Sequence, residues 1–377
     1  MKKCLIVPDS FKGTISSVEI CDIVKSLILE YYPECNVVSI PVADGGEGTI
    51  DCFLHAMKGI SVPVTVSGPF GEKMECDYAR FGNIAVVEMA KPAGLPLVLG
   101  RENPGLATTY GVGELMRHAV ENGCTEIIVG LGGSATNDAG AGMAAALGVR
   151  FLDSDNNAFV PTGATLSKVK HIDASPAKEL LKNCTVTAMC DIDNPMYGKT
   201  GAAYVFGPQK GADPDMVELL DQNLRHFSEQ IIKDLGIDVS QLPGAGAAGA
   251  MGAGIAAFLS GELKAGIQTV LDLVKFDDLL ESTDMIFTGE GKIDGQSLRG
   301  KVVIGVADRA KRKNVPVVAV VGDVADDAYS AYDMGVTSIF SINRLAIPFE
   351  KARFRSKQDL KATVNDILRF RKLCAKA

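Results

Sequence analysis

Residues 126–148, EIIVGLGGSATNDAGAGMAAALG, decide how the chain folds. Ile127, Ile128, Val129 and Leu131 form the short apolar, β-branched run of a buried strand. A glycine cluster carrying Ser134, Thr136 and Asn137 then leads into an Ala-rich segment that reads as a helix. Strand, tight glycine loop and helix in that order is a common phosphate cradle. Glycines let the backbone come close to an anion, and the first turn of a helix offers it unpaired N–H groups. Gly130, Gly132 and Ala135 also fit the G-x-G-x-x-A dinucleotide fingerprint, with Asp153 at the spacing of a ribose contact. The stretch predicts an α/β unit and a phosphate-bearing ligand, and leaves open which one. The same glycines would also serve close packing of helix on strand.

Working outward, the N-terminal part repeats the pattern. A strand over 4–7 ends in the loop 8–13, and Ser16 with Glu19 three residues on predicts a capping box opening a helix to about residue 31. A strand over 36–42 ends in Ala43-Asp44-Gly45-Gly46-Glu47-Gly48, followed by a helix over 49–57. From Ser61 the apolar period changes to two: Val62, Val64 and Val66, a turn at 68–71, then 74–81 and 84–89 predict an antiparallel meander and a domain boundary near residue 64. A helix over 109–122 and a strand over 184–190 follow, the latter ending in Asp191-Ile192-Asp193-Asn194-Pro195. Asp213 with Pro214 predicts a helix start after the loop 208–211, and 242–259 reads as a Gly/Ala-rich helix with its entry loop. Strands over 285–288, 315–321 and 338–342 and helices over 300–313, 325–334 and 360–373 restore the α/β rhythm. Three strands here and two at the N-terminus predict a five-stranded doubly wound parallel sheet built from both chain ends, residues 1–63 and 284–377. Residues 64–283 then form a second, mixed α/β domain, with the active site in the cleft between the two.

Composition bounds the function. With 377 residues the chain is too long for one typical core. Thirty-eight Lys and Arg against 46 Asp and Glu give a net charge of −8, which argues against nucleic acid or an anionic membrane as partner. Nine cysteines with no C-x-x-C pair read as reduced thiols. Without a secretory signal or an 18-residue apolar run, the expected setting is cytoplasmic. A homo-oligomer is compatible with these features.

Two further motifs mislead. Gly244, Gly246 and Gly249 match G-x-G-x-x-G but follow Gln241-Leu242-Pro243 rather than a strand, so close helix packing explains them, with a loop lining the cleft as the functional alternative. Residues 193–200, DNPMYGKT, nearly match a P-loop, but Asp193 stands where the first glycine is needed and its charge would repel phosphate. What remains is a set of acidic, glycine-bearing loops after strands: Asp9, Asp44 with Glu47, Asp191 with Asp193, and Glu290 with Asp294. Carboxylates facing phosphates call for Mg2+ between them, and one free of metal can take a proton from an attacking hydroxyl. Lys12, Lys210, Lys292 and Lys301 sit in or beside such loops and can neutralise phosphate charge. The four histidines lack metal-ligand spacing, and neither a G-x-S-x-G elbow nor a Cys–His pairing supports nucleophilic catalysis.

Assembled, these loops resemble the class I glycerate kinase family. The matching strings are PDSFKGTISS (8–17), PVADGGEGT (41–49), NPGLATTYGVGE (103–114), GLGGSATNDAGAGM (130–143), CDIDNP (190–195), FGPQKGA (206–212), LPGAGAAGAMGAG (242–254) and TGEGKIDGQSLRGK (288–301). They occur in the family's order over residues 1 to about 342. The resemblance implies ATP-dependent phosphorylation of glycerate, at the 2-hydroxyl, and a flavodoxin-like domain made from both chain ends.

On that reading Gly132, Gly133, Ser134, Asn137, Lys210 and Gly289 hold the nucleotide, with its phosphates over the glycine turn and the helix that follows. Asp193, Glu290 and Asp294 hold Mg2+. Ser10, Lys12 and Arg299 take glycerate, Lys12 also acting in catalysis. Asp191, directly after a buried strand, is favoured over Asp44 as base. The rivals are an NAD(P)-binding Rossmann oxidoreductase, a non-catalytic sugar-acid binding protein, and a kinase for another small hydroxy acid, since pocket shape alone separates such acids.

Overall fold

The computed structural model describes residues 1–43, 45–295 and 297–374, without the side chain of Arg299. The chain divides into two compact units: Met1–Ala43 with Asp51–Lys58 and Ala265–Ala377, and Asp44–Ile50 with Gly59–Lys264.

The first unit is built on five parallel strands contributed by both chain ends. Across the sheet they run Ser338–Ser341, Val317–Val321, Met285–Gly289, Lys3–Pro8 and Asn36–Ser39. The central three are continuous apolar runs, as expected of a sheet covered on both faces. Alternate residues Cys4, Ile6, Met285, Phe287, Val318 and Val320 share one core with Ile20, Val24 and Ile28 of the helix Ser17–Tyr31 and with Leu360, Val364 and Leu368 of the helix Ser356–Cys374. The helix Val302–Lys311 packs on the same strands outside that core and so covers the opposite face. Ser16 caps its helix as expected, its hydroxyl accepting from Glu19 N while the Glu19 carboxylate accepts from Ser16 N. The helix expected over 325–334 is instead a run of 3-10 turns, Asp326–Tyr332.

The second unit has a six-stranded sheet in the order Glu262–Lys264, Thr185–Met189, Glu126–Gly130, Ile84–Glu88, Lys73–Phe81, Ile60–Ser67. The first four strands are parallel, and the last two continue from Ile84–Glu88 as the expected antiparallel meander. One core fills this unit, with Phe151, Phe227 and Phe258 meeting at ring separations of 5.5–6.0 Å. The predicted helix start is present: Asp213 accepts from Met216 N and Pro214 opens the helix Pro214–Leu235. A small sheet of Arg150–Leu152, Ala158–Phe159 and His171–Asp173 has no counterpart in the sequence reading, because two or three residues are too few to show a period. Among the described residues no helix is long and apolar enough to cross a membrane.

Candidate active site

The strand Glu126–Gly130 delivers its loop to the C-terminal edge of the second sheet. There the segment 45–50 lies across the strand ends. Glu88, buried at the end of the adjacent strand, accepts from Gly48 N and Ile50 N, and Gly132 N donates to Gly45 O. The approach is so close that a Cβ on Gly130 would sit 2.3 Å from Gly45 O, and one on Gly132 would sit 2.5 Å from Gly46 Cα. These glycines therefore serve backbone-on-backbone packing first. Gly133, with φ +74°, turns the chain toward Ser134.

The helix after this loop differs from expectation. It is only Ala141–Ala146, begins seven residues beyond Ser134, and its first turn is already occupied. The fully buried Asp138 carboxylate accepts from Gly140 N, Gly142 N, Thr109 N and Thr109 Oγ1. Burial pushes this carboxyl up, and its donors oppose the shift. The helix N-terminus thus holds a carboxylate of the protein itself. The expectation that it receives phosphate is corrected.

The dinucleotide reading fails on the same geometry. Gly130 and Gly132 face another backbone, and the Asp153 carboxylate closes a hairpin turn by accepting from Asp155 N and Asn157 N at 2.9 Å. The near-miss P-loop is also a structural turn, with Gly198 N donating to the Asp221 carboxylate at 2.6 Å.

Beside the glycine turn lies a cavity of about 200 Å³ lined by Gly132, Gly133, Ser134, Asp191, Lys210, Ala247 and Ala248, among others. Asp191 and Lys210 thus share one crevice with Ser134, although 19 and 76 residues separate them from it or from each other along the chain. Lys210 is only 2 % exposed; its ammonium donates to Ser134 Oγ at 2.6 Å and to Thr136 O at 2.7 Å. Burial pulls its pKa down to about 7, against the pull of Asp138 in the other direction. Deeper in the loop, Asn137 and Thr136 are fully buried, yet the Asn137 side-chain amide and the Thr136 hydroxyl have no hydrogen-bond partner. Neither residue is among those lining the cavity, so these are orphaned polar atoms of the buried loop behind it.

The Gly/Ala-rich segment supplies the facing wall. Ala248, Gly249 and Ala250 take left-handed conformations at the start of Ala247–Leu259, and a Cβ on Gly249 would meet Thr136 O at 2.0 Å. Three such residues in a row, two of them alanines, are strained backbone, which a rigid surround must hold in place. Both readings of the second glycine motif therefore apply: close packing, and a wall of the cavity. Cys190 also lines it, but burial pushes its thiol up to about 11, so it is no nucleophile.

The first unit gathers the other expected residues at the C-terminal edge of its own sheet. Asp9 and Ser10 follow Lys3–Pro8, with Asp9 N donating to Gly289 O and Ser10 N to Asp9 Oδ1. Glu290 and Asp294 follow Met285–Gly289, Asp294 exchanging hydrogen bonds with Ser297. Glu290 is 5 % exposed with one carboxylate oxygen lacking a hydrogen-bond partner. Burial first, then Asp9 and Asp294, push its pKa up to about 7 against the help of Ser297 and Lys301. Lys12 lies beside Gly291 in the same loop cluster. Among the described residues no three His, Cys, Asp or Glu side chains converge to hold a metal ion; Glu290 and Asp294 belong to one unit and Asp193 to the other. Asp44 and the Arg299 side chain lie outside the described residues.

Glu88, Thr109 and Asp138 escape the sequence reading. The only hint is an acid at the end of an apolar run, VVE, and a Thr-Thr pair before a helix.

Comparison with known proteins identifies the family of the whole chain. Residues 4–372 match the model of the glycerate kinase family. A glycerate kinase of Bacillus cereus is 41 % identical over 368 residues, 97 % of either chain, and a glycerate 2-kinase of Escherichia coli is 42 % identical over 343 residues, 90 % of either chain. A crystal structure from Salmonella typhimurium LT2, provisionally named glycerate kinase 2, superposes over 100 % of both chains with a TM-score of 0.88 at 38 % identity.

Proposed function

The chain belongs to the glycerate kinase family, and from that premise we propose that it transfers the γ-phosphoryl group of ATP to the 2-hydroxyl of glycerate, releasing ADP and 2-phosphoglycerate. The observation that carries the proposal is the buried Lys210 on Ser134, in a cavity that Asp191 also lines. Such a site can hold a polyphosphate and accept a proton from an attacking alcohol.

In the proposed reaction the glycerate hydroxyl oxygen forms a bond to the γ-phosphorus as the bond to the β–γ bridging oxygen breaks, and Asp191 takes the hydroxyl proton. Backbone groups of Gly132, Gly133 and Ser134, with Asn137, Lys210 and Gly289, bind the nucleotide. Ser10, Lys12 and Arg299 bind the acceptor, and Asp44 is the alternative base. Of the carboxylates expected to hold Mg2+, Glu290 and Asp294 share one loop and would hold it, neutralising phosphate charge when it is bound, whereas Asp193 belongs to the other unit. The partnerless oxygen of Glu290 suits a divalent cation, and Mg2+ commonly takes only one or two protein carboxylates. Charge neutralisation and positioning supply most of such a rate enhancement.

The strand order of the five-stranded sheet supports a flavodoxin-like domain drawn from both chain ends, with a mixed α/β domain formed by the middle of the chain. Nine cysteines, none in a disulfide, suit a cytoplasmic enzyme.

The test is ADP release with glycerate and a panel of hydroxy acids, with phosphorus NMR of the product. A single doublet from phosphate on the 2-carbon is expected. A triplet from phosphate on the 3-carbon would reassign the hydroxyl, and turnover confined to another acid would reassign the substrate. NADH binding without ATP turnover would replace the reading altogether.

A further inference from the structure

The Gly/Ala-rich wall of the Lys210 cavity changes hand abruptly. Gly246 is right-handed and Ala247 helical, whereas Ala248, Gly249 and Ala250 have φ of +54°, +66° and +68°. A right-handed residue followed by a left-handed one turns successive N–H groups toward one concave side, a backbone nest that binds anions. Ala247 and Ala248, the two residues at this change of hand, both line the cavity.

The donors of this turn are only partly used. Ala247 N donates to Gly244 O and Ala250 N to Gly246 O, but the Ala248 N–H meets no acceptor among the described residues. Gly133 and Ser134, also in the lining, are in the same state: where their segment pairs with residues 93–95, it is Ala135 N and Leu95 N that donate.

A second observation gives the charge of the ligand. Lys210, buried and in the same lining, uses two of its three ammonium N–H groups, on Ser134 Oγ and Thr136 O. Among the described residues no carboxylate lies within ion-pair distance of it. A buried cation without such a partner is costly until an anion meets it.

One loop fixes both features. Gly249 O accepts from Ala139 N at 3.0 Å, and a Cβ on Gly249 would lie 2.0 Å from Thr136 O, the carbonyl that also takes the Lys210 ammonium. The segment 134–139 thus holds the cation and pins the left-handed turn, keeping two alanines in a conformation that alanine rarely adopts.

We propose that the Ala248 N–H is a phosphate-binding group: with the N–H groups of Gly133 and Ser134 and the Lys210 ammonium, it holds a phosphoryl group of the nucleotide. The proposal rests on the kinase reading for the identity of that nucleotide and adds to it a main-chain donor, which no side-chain motif reveals.

The test uses the full chain with isotope-labelled alanine and its Ala248→Asp, Ala248→Asn and Ala248→Gly variants. Aspartate and asparagine are close in size and both accept left-handed backbone, so the two variants differ chiefly in charge. Tripolyphosphate is the first probe, titrated by calorimetry without Mg2+. Its affinity for Ala248→Asp is expected to be at least about 30-fold below that for Ala248→Asn, the scale of a like charge set against a bound anion. The KM for ATP should follow, while the KM for glycerate differs between the two variants by no more than about threefold, since that charge faces the phosphate and not the acid. In the wild type the Ala248 amide resonance, identified by its loss in Ala248→Gly, should move downfield with tripolyphosphate and stay in place with adenosine. This readout holds even where the Asp variant fails to fold. Equal affinities of the Asp and Asn variants, an Ala248 resonance indifferent to tripolyphosphate, or one that answers only to adenosine overturns the inference, and ATP-dependent turnover of glycerate then leaves the kinase reading intact. Tripolyphosphate binding with the expected Asp–Asn difference, but no phosphorylation of glycerate, sustains the cradle and overturns the kinase reading.

Discussion

Lys210 shows how much of the site turns on a single buried charge. Its pKa near 7 means that at pH 8 the ammonium is mostly deprotonated, and bound phosphate would stabilise the charged form. Nucleotide binding should therefore take up a proton above pH 7, and affinity should fall as pH rises from there. Calorimetry at pH 8 in buffers of unequal ionisation heat measures the uptake. Lys210→Met should abolish it and lower kcat/KM by about 10²-fold or more, the usual scale for a charge aimed at a transferring group. A wild type whose affinity is flat from pH 6.5 to 9 would count against this role. Asp191→Asn should lower kcat at least about 10²-fold in a variant whose thermal unfolding stays cooperative, measured by ADP release. Ser134, Asp191 and Lys210 are legible in sequence because each ends or follows an apolar run in a glycine-bearing loop. Glu88 and Asp138 are not, because what marks them is a set of backbone donors from Gly48, Ile50 and Thr109, 29 to 40 residues away.

At the scale of elements, glycines decide which loops can meet. Gly130→Ala would drive a Cβ into the Gly45 carbonyl at 2.3 Å, and neither backbone can yield. The expected cost is about 1–3 kcal/mol or more, read from the urea midpoint at constant m. Gly123→Ala is the control: it has φ +87° and open space, so it suffers backbone strain alone, about 1 kcal/mol. Equal costs would mean that the two loops are not packed as described. Helix starts at Ser16 and Asp213 were readable because a cap is a local contact over three residues. The brief helix Ala141–Ala146 was not, because Asp138 sets its start by a fold from Thr109 that no local pattern encodes.

Across the whole molecule, the two displaced titrations make stability depend on pH in opposite directions. The folded pKa of Glu290 is raised from 4.5 to about 7, so between those values the native state holds more protons than the unfolded one, and this carboxyl's contribution to stability declines as pH rises. Glu290→Gln should therefore gain stability over the wild type increasingly from pH 5 to 7 and then level off. Lys210, lowered from 10.5 to about 7, acts the other way: the unfolded state holds more protons across that window, so stability rises with pH. The gain from Lys210→Met should be largest below pH 7 and shrink toward pH 10. Urea midpoints at pH 5, 7 and 9 check both, and parallel curves for wild type and variants would refute them. Taken by itself, the sequence determined the α/β class, the sheet shared by both chain ends and the acidic and glycine-bearing loops at its strand ends, because apolar period, caps and turn residues act within a few positions. Only the tertiary structure decided that Lys210 is buried on Ser134, that Asp138 fills its own helix start and that the glycines face other backbone. Burial and desolvation depend on neighbours distant along the chain, and no local pattern records them.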